Sequence, residues 1–180
     1  MTLTQNHFEL FGFPVDFDID QQQLSERYRE LQRNLHPDRY ANAPDQERRL
    51  AVQRAAQVNE AFQTLKSPLQ RARYLLQLKG FDIDAEKETH QDAEFLMQQI
   101  ELREALAEVQ TAADPLDALS GIMQSIRESQ AGLIAELQKR FAAKDEVDHL
   151  ETRQVVQKMQ FFSRLQQQAE EIEEQLVDAL

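Results

Sequence analysis

At 180 residues the chain has room for one domain or two small ones, and only four glycines, no cysteine and an abundance of Gln, Glu, Leu and Ala point to an all-α protein without disulfides or thiolate ligands. The net charge of −12 is lopsided: residues 1–80 carry 11 Lys and Arg against 10 Asp and Glu (+1), whereas residues 81–180 carry 9 against 22 (−13). An acidic second half repels phosphate backbones, no stretch approaches the roughly 20 apolar residues of a membrane span, and the polar N-terminus shows no apolar signal region. No nucleic-acid partner, no membrane and a cytoplasmic location are therefore expected.

Taken in order, His7–Phe11 reads as a short helix ended by Gly12 and Pro14, after which Asp18 or Asp20 can cap the next one. Gln21–Leu35 carries Leu24, Tyr28, Leu31 and Leu35 on one apolar stripe of helical period, with Arg29 and Arg33 on the far side and Arg27 on a flank. His36-Pro37-Asp38 stops that helix, because proline lacks the amide donor and clashes with the preceding turn. A tight turn presenting one imidazole and one carboxylate follows, although the three letters alone also fit an ordinary Pro-Asp turn. Arg39–Pro44 reads as loop. Asp45–Lys66 reads as a third helix with Ala51, Ala55, Val58, Phe62 and Leu65 inward, small residues near the turn allowing close antiparallel packing on the second helix. Ser67-Pro68 opens a fourth helix that stops at Gly80.

These blocks resemble a J-domain, the module that stimulates Hsp70-type ATPases. Phe8-Glu9-Leu10-Phe11-Gly12, Leu24–Leu31, the His-Pro-Asp turn, Val58–Leu65 and Ser67–Leu76 stand in the family's order. The resemblance implies Hsp70 binding through the second helix and the turn, that is through Arg27, Arg29, Arg33, His36, Pro37 and Asp38.

The predicted organisation is a J-domain over residues 1–80, a linker over 81–90 rich in Asp and Glu, and an acidic three-helix bundle over 91–180. The bundle rods are Gln91–Ala112, Pro115–Ala143 and about Glu146–Val177, broken at Asp114-Pro115 and Ala143-Lys144-Asp145. Leu119, Ile122, Ile126, Leu133, Leu137 and Phe141 line the second rod; Val155, Phe162, Leu165, Ala169, Ile172 and Leu176 line the third. On the first, Phe95, Leu102, Leu106 and Val109 form the core stripe. Leu96, Ile100 and Met97 project about 100° to 200° around from Phe95 and make a second apolar strip, edged by Glu101, Glu104 and Glu108. Neighbouring rods could bury Leu96 and Ile100; left exposed, such a strip marks a partner site.

A J-domain joined to such a bundle is similar to the HscB family of iron–sulfur co-chaperones, with Phe8–Pro14 and Phe95–Leu106 as its most characteristic stretches. The resemblance implies two partners: a specialised Hsp70 (HscA-type) and the scaffold on which clusters are built (IscU-type). It maps scaffold binding onto Leu96, Met97, Ile100, Glu101, Glu104 and Glu108, with Phe161 on the last helix. Some relatives carry paired Cys-x-x-Cys motifs that this chain lacks, and Arg39 stands where many J-domains have lysine.

Other classes fit less well. His36 and Asp38 as a base and its orienter lack a nucleophile at catalytic spacing, so no enzyme and no catalytic residue are expected. The four histidines (His7, His36, His90, His149) show no i, i+4 pairing and thiolates are absent, so no metal site and no cofactor are expected. The alternative is a helical scaffold or adaptor with no Hsp70 role.

Overall fold

The computed structural model describes residues 5–40, 43–81, 92–143 and 148–178, and among them all regular structure is helical. The helices are α1 (His7–Leu10), α2 (Gln21–Asn34), α3 (Asp45–Lys66), α4 (Pro68–Leu78), α5 (Ala93–Glu108), α6 (Pro115–Ala142) and α7 (His149–Asp178), with 3-10 turns at Pro37–Tyr40 and Val109–Thr111. The all-α expectation holds. The chain divides into two compact units, residues 1–81 and 82–180. Apart from Phe81, the expected linker lies outside the described residues, as do Lys144 and Asp145 of the second expected break.

The helix starts are set by local chemistry. The side chains of Asn6, Asp20, Ser67, Asp92 and Asp114 each accept the amide three residues on, of Glu9, Gln23, Gln70, Phe95 and Asp117 respectively. That satisfies donors which the first helical turn leaves without partners. Asp20 thus takes the capping place left open between it and Asp18. α3 has no side-chain cap but carries Asp45 and Glu47 against the positive end of its dipole. Gly12 (φ 67°) and Gly80 (φ 85°) supply the left-handed backbone on which the chain leaves α1 and α4.

In the first unit, Phe8, Phe17, Leu24, Val58, Ala61, Leu65, Ala72 and Leu76 are the buried centre. The ring of Tyr28 stacks on Phe62 at 3.9 Å, its hydroxyl donates to the Asn59 amide oxygen at 3.0 Å, and Gln32 donates to the same oxygen. Contacts that climb α2 while descending α3 make the pair antiparallel. Ala61, which the predicted stripe omits, is buried, and Ala55 only partly so. Arg71 is also buried, its guanidinium 4.9 Å from the Phe17 ring centre and donating to the Leu65 carbonyl at 2.5 Å. Burial lowers its pKa, and Asp18 opposes that shift.

The second unit is built on the predicted stripes. Phe95, Leu106, Val109, Leu119, Ile126, Phe162, Leu165 and Ala169 form one core, with Leu102, Ile122, Leu133, Phe161, Ile172 and Leu176 packed against it. The first rod is shorter than expected: α5 ends at Glu108, and Val109 is buried from the following 3-10 turn. The Thr111 hydroxyl accounts for the change, since it donates to the Glu108 carbonyl at 2.9 Å and competes with the helical ladder. Arg140 binds both Glu136 of α6 (2.6 Å) and Glu151 of α7 (2.7 Å), which ties the distal ends of those helices and raises the guanidinium pKa.

Candidate docking surfaces

The first candidate site begins where α2 runs out. Leu35 closes the last helical turn through its amide, which donates to Leu31 at 3.0 Å. The chain then tightens into the 3-10 turn over Pro37–Tyr40, which takes in Arg39 and Tyr40 where the sequence predicts loop. Two contacts to Asn34 hold the turn from behind. Arg39 donates to its side-chain oxygen at 3.0 Å, and the Tyr40 hydroxyl donates to its backbone carbonyl at 3.4 Å. Sequence reading passed over Asn34; an amide side chain one residue before the helix cap was the available signal.

With its back fastened, the turn projects the two candidate groups. The side chains of His36 and Asp38 are 59% and 91% exposed, with Nδ1 3.4 Å from the carboxylate. The Asp38 amide faces the same nitrogen at 3.3 Å. Arg29 and Arg33 are exposed on α2, Arg29 leaning on the Ser25 carbonyl at 3.2 Å. Arg27 departs from them. Its guanidinium donates to the Phe11 carbonyl at 2.5 Å and to Gln23 at 2.9 Å, and covers the Phe13 ring at 4.5 Å. Expected among the partner-facing arginines, Arg27 instead binds the loop after α1 to α2, because its flank position points it at that loop. It also lies 3.2 Å from where a Cβ on residue 12 would stand, a second reason for Gly12.

The second candidate site is on α5. Phe95, Leu106 and Val109 are buried, whereas Leu96, Met97 and Ile100 are 44%, 57% and 48% exposed. Glu101, Glu104 and Glu108 are exposed beside them. Large exposed apolar residues elsewhere are scattered, Leu150 and Val177 standing at opposite ends of α7, while these three share one and a half turns of one helix. Phe161 differs from the strip. Half-buried on α7, it meets Phe95 edge-on at 5.6 Å and Phe162 at 5.3 Å, so it belongs partly to the core. At the start of α5, the Asp92 carboxylate accepts from Lys158 of α7 at 2.6 Å as well as from the Phe95 amide at 3.0 Å. The Lys158 contact first, and the Phe95 amide second, hold this carboxyl below its ordinary pKa.

Each site is an outward surface whose groups suit recognition. Among the described residues no three His, Cys, Asp or Glu side chains converge as a metal site, and no helix is long and apolar enough to cross a membrane.

Known proteins share this organisation. Residues 6–74 match the family model described as the DnaJ domain, and residues 91–170 that of the HSCB C-terminal oligomerisation domain. The co-chaperone protein HscB homolog of Shewanella halifaxensis is 43% identical over 173 residues, covering 96% of this chain and 99% of the relative. The corresponding protein of Aeromonas salmonicida is 45% identical over 174 residues, covering 97% and 99%. The solved structure of chaperone HscB from Vibrio cholerae superposes with a TM-score of 0.83 at 41% identity, covering 96% of this chain and 99% of that one.

Proposed function

The chain belongs to the HscB family of J-domain co-chaperones, and on that premise we propose that it stimulates an HscA-type Hsp70 and brings to it an IscU-type iron–sulfur scaffold. Its role is that of an Hsp70 co-chaperone in iron–sulfur cluster assembly rather than of an enzyme. In this reading residues 1–80 face the Hsp70 and residues 91–180 the scaffold, in the cytoplasm.

The observation that carries the reading is the outward His36–Asp38 pair on a turn fastened from behind by Asn34. Asp38 offers a nearly fully exposed carboxylate, suited to a cation on the Hsp70. Because the turn is already fixed, docking orders little further backbone, and more of the contact energy reaches the complex. Arg29 and Arg33 add a basic bank that steers association toward an acidic surface; Arg27 supports that bank from within the fold.

Stimulation requires that this surface bind one Hsp70 state more tightly than the other, since equal binding to both shifts no equilibrium. The α5 strip supplies the second contact. A scaffold held on Leu96, Met97 and Ile100, with Glu101, Glu104 and Glu108 as rim and Phe161 alongside, is kept at high effective concentration near the Hsp70.

The test is a single-turnover ATPase assay with purified HscA-type Hsp70, adding the chain alone, the IscU-type scaffold alone, and both. The expected outcome is stimulation by the chain and a larger, more than additive effect with both. No stimulation under any condition would favour a helical adaptor without an Hsp70 role.

A further inference from the structure

Where α5 meets α7, the apolar strip borders a notch of different chemistry. It encloses about 280 Å³, with Phe95, Phe161 and Leu165 as its apolar part, Arg103 of α5 and Arg164 of α7 as its charged part, and glutamines as the rest. No carboxylate lines it, although residues 81–180 carry a net charge of −13.

Neither arginine has an acid three or four residues away along its own helix, although Glu104 adjoins Arg103 and Glu101 lies two residues before it. Three and four residues from Arg103 lie Gln99, Ile100, Leu106 and Ala107; from Arg164, Gln160, Phe161, Gln167 and Gln168. These are the positions from which a helical neighbour would neutralise a guanidinium. Among the described residues neither arginine enters an ion pair, and Arg103 instead lies on the Phe161 ring, 5.3 Å from its centre. Lys158 and Arg140 of the same unit are both paired. A guanidinium stacked on a ring keeps its planar N–H edge for a carboxylate.

The notch also gives the strip a direction. Counted at about 100° per residue, Arg103 stands about 20° before Leu96, while Glu108 and Glu101 stand about 20° and 40° beyond Met97. Glu104 stands about 20° before Met97, so the strip has positive charge on its Leu96 edge and negative charge on its Met97 side.

We propose that Arg103 and Arg164 receive a carboxylate side chain of the docked iron–sulfur scaffold, and that this contact fixes which way round the scaffold lies across Leu96, Met97 and Ile100. The inference rests on reading that strip as the scaffold-docking surface. Apolar contacts supply affinity without polarity, whereas opposite charges on the two edges penalise the reversed pose by placing like charges together.

The experiment is calorimetric titration of IscU-type scaffold into the full chain at low and high salt. It compares wild type with R103Q/R164Q, with the charge-conserving R103K/R164K, and with a Leu96, Met97, Ile100 triple alanine variant. R103Q/R164Q should raise the Kd about tenfold and flatten its salt dependence, and R103K/R164K should recover part of the loss. Replacing the scaffold's Asp and Glu one at a time by Asn and Gln should identify one carboxylate whose loss weakens binding to wild type but not to R103Q/R164Q. Arg164→Gln alone, which leaves Arg103 on the Phe161 ring, serves for that cycle should the double variant not fold. An unchanged Kd for R103Q/R164Q, or a loss coupled to no scaffold carboxylate, overturns the proposal. If wild type binds and only the triple alanine variant fails, the carboxylate contact is wrong and the strip stands. If wild type does not bind the scaffold, both fall.

Discussion

Asp92 and Lys158 meet at 2.6 Å across 66 residues of sequence, and the same carboxylate caps α5 by accepting the Phe95 amide at 3.0 Å. One side chain thus fixes both where the helix of the apolar strip starts and how it is anchored to α7. The Lys158 ammonium also reaches back over the Phe95 ring, 5.2 Å from its centre.

The first prediction is a pH dependence. The folded-state pKa of Asp92 is depressed by Lys158 and the Phe95 amide. Its contribution is therefore present in full above the unfolded-state value, about 3.9, and is lost as pH falls through the folded value. The thermal stability of the second unit should fall as pH drops below about 4. Asp92→Asn keeps a capping oxygen and loses the charge, so it should lower the melting temperature at neutral pH and flatten the acid slope. Calorimetry between acid and neutral pH measures both.

The second concerns the turn. His36→Gln and Asp38→Asn should abolish stimulation of the Hsp70 ATPase while shifting stability by no more than about 0.5 kcal/mol, the range of exposed substitutions. Both side chains are outward, and the contacts that hold the turn come from Arg39 and Tyr40 to Asn34. Steady-state ATPase rates and melting curves on the same preparations separate loss of contact from loss of fold.

A third prediction sets one arginine against two. Arg27→Ala should destabilise the first unit by about 1–3 kcal/mol, because it leaves the carbonyl of the buried Phe11 without the Arg27 donor and uncovers Phe13. Arg29→Glu with Arg33→Glu should leave the melting temperature nearly unchanged and slow association with the Hsp70, most at low salt. Stopped-flow association rates and thermal melts distinguish the two classes.

The fourth separates strip from core. Replacing Leu96, Met97 and Ile100 together by alanine should change stability little, since all three are exposed, yet weaken scaffold binding about a hundredfold or more. Phe161→Ala should do both, because its ring also packs on Phe95 and Phe162; a cost of about 1–3 kcal/mol is expected, below the value for a fully buried phenylalanine. Charge reversal at Glu101, Glu104 and Glu108 should act more weakly and mainly at low salt, as a rim does. Denaturant unfolding and calorimetric binding of each variant supply the two axes.

What the sequence by itself determined is what single helices decide. Capping residues, prolines and the 3.6-residue period act within a few positions of one another. For that reason Asp45–Lys66 has its expected bounds, Asp114 and Pro115 begin α6 where expected, and the separation of Leu96, Met97 and Ile100 from Phe95 and Leu106 followed from rotation about one axis. The His-Pro-Asp stop of α2 is of the same kind.

Only the tertiary structure decided which side chains meet between helices. That Arg27 turns inward onto Phe11, that Phe161 divides itself between surface and core, that Arg71 is buried, and that Asp92 finds Lys158 all depend on the stagger and rotation of one rod against another. Periodicity fixes neither quantity. They emerge from the interlocking of many side chains at once, and a shift of one helical turn, about 5.4 Å, would replace every one of those partners. Arg103 and Arg164 show the same limit: the absence of acids three or four residues from each is plain in the sequence, but their convergence on one notch is a property of the packed pair α5 and α7.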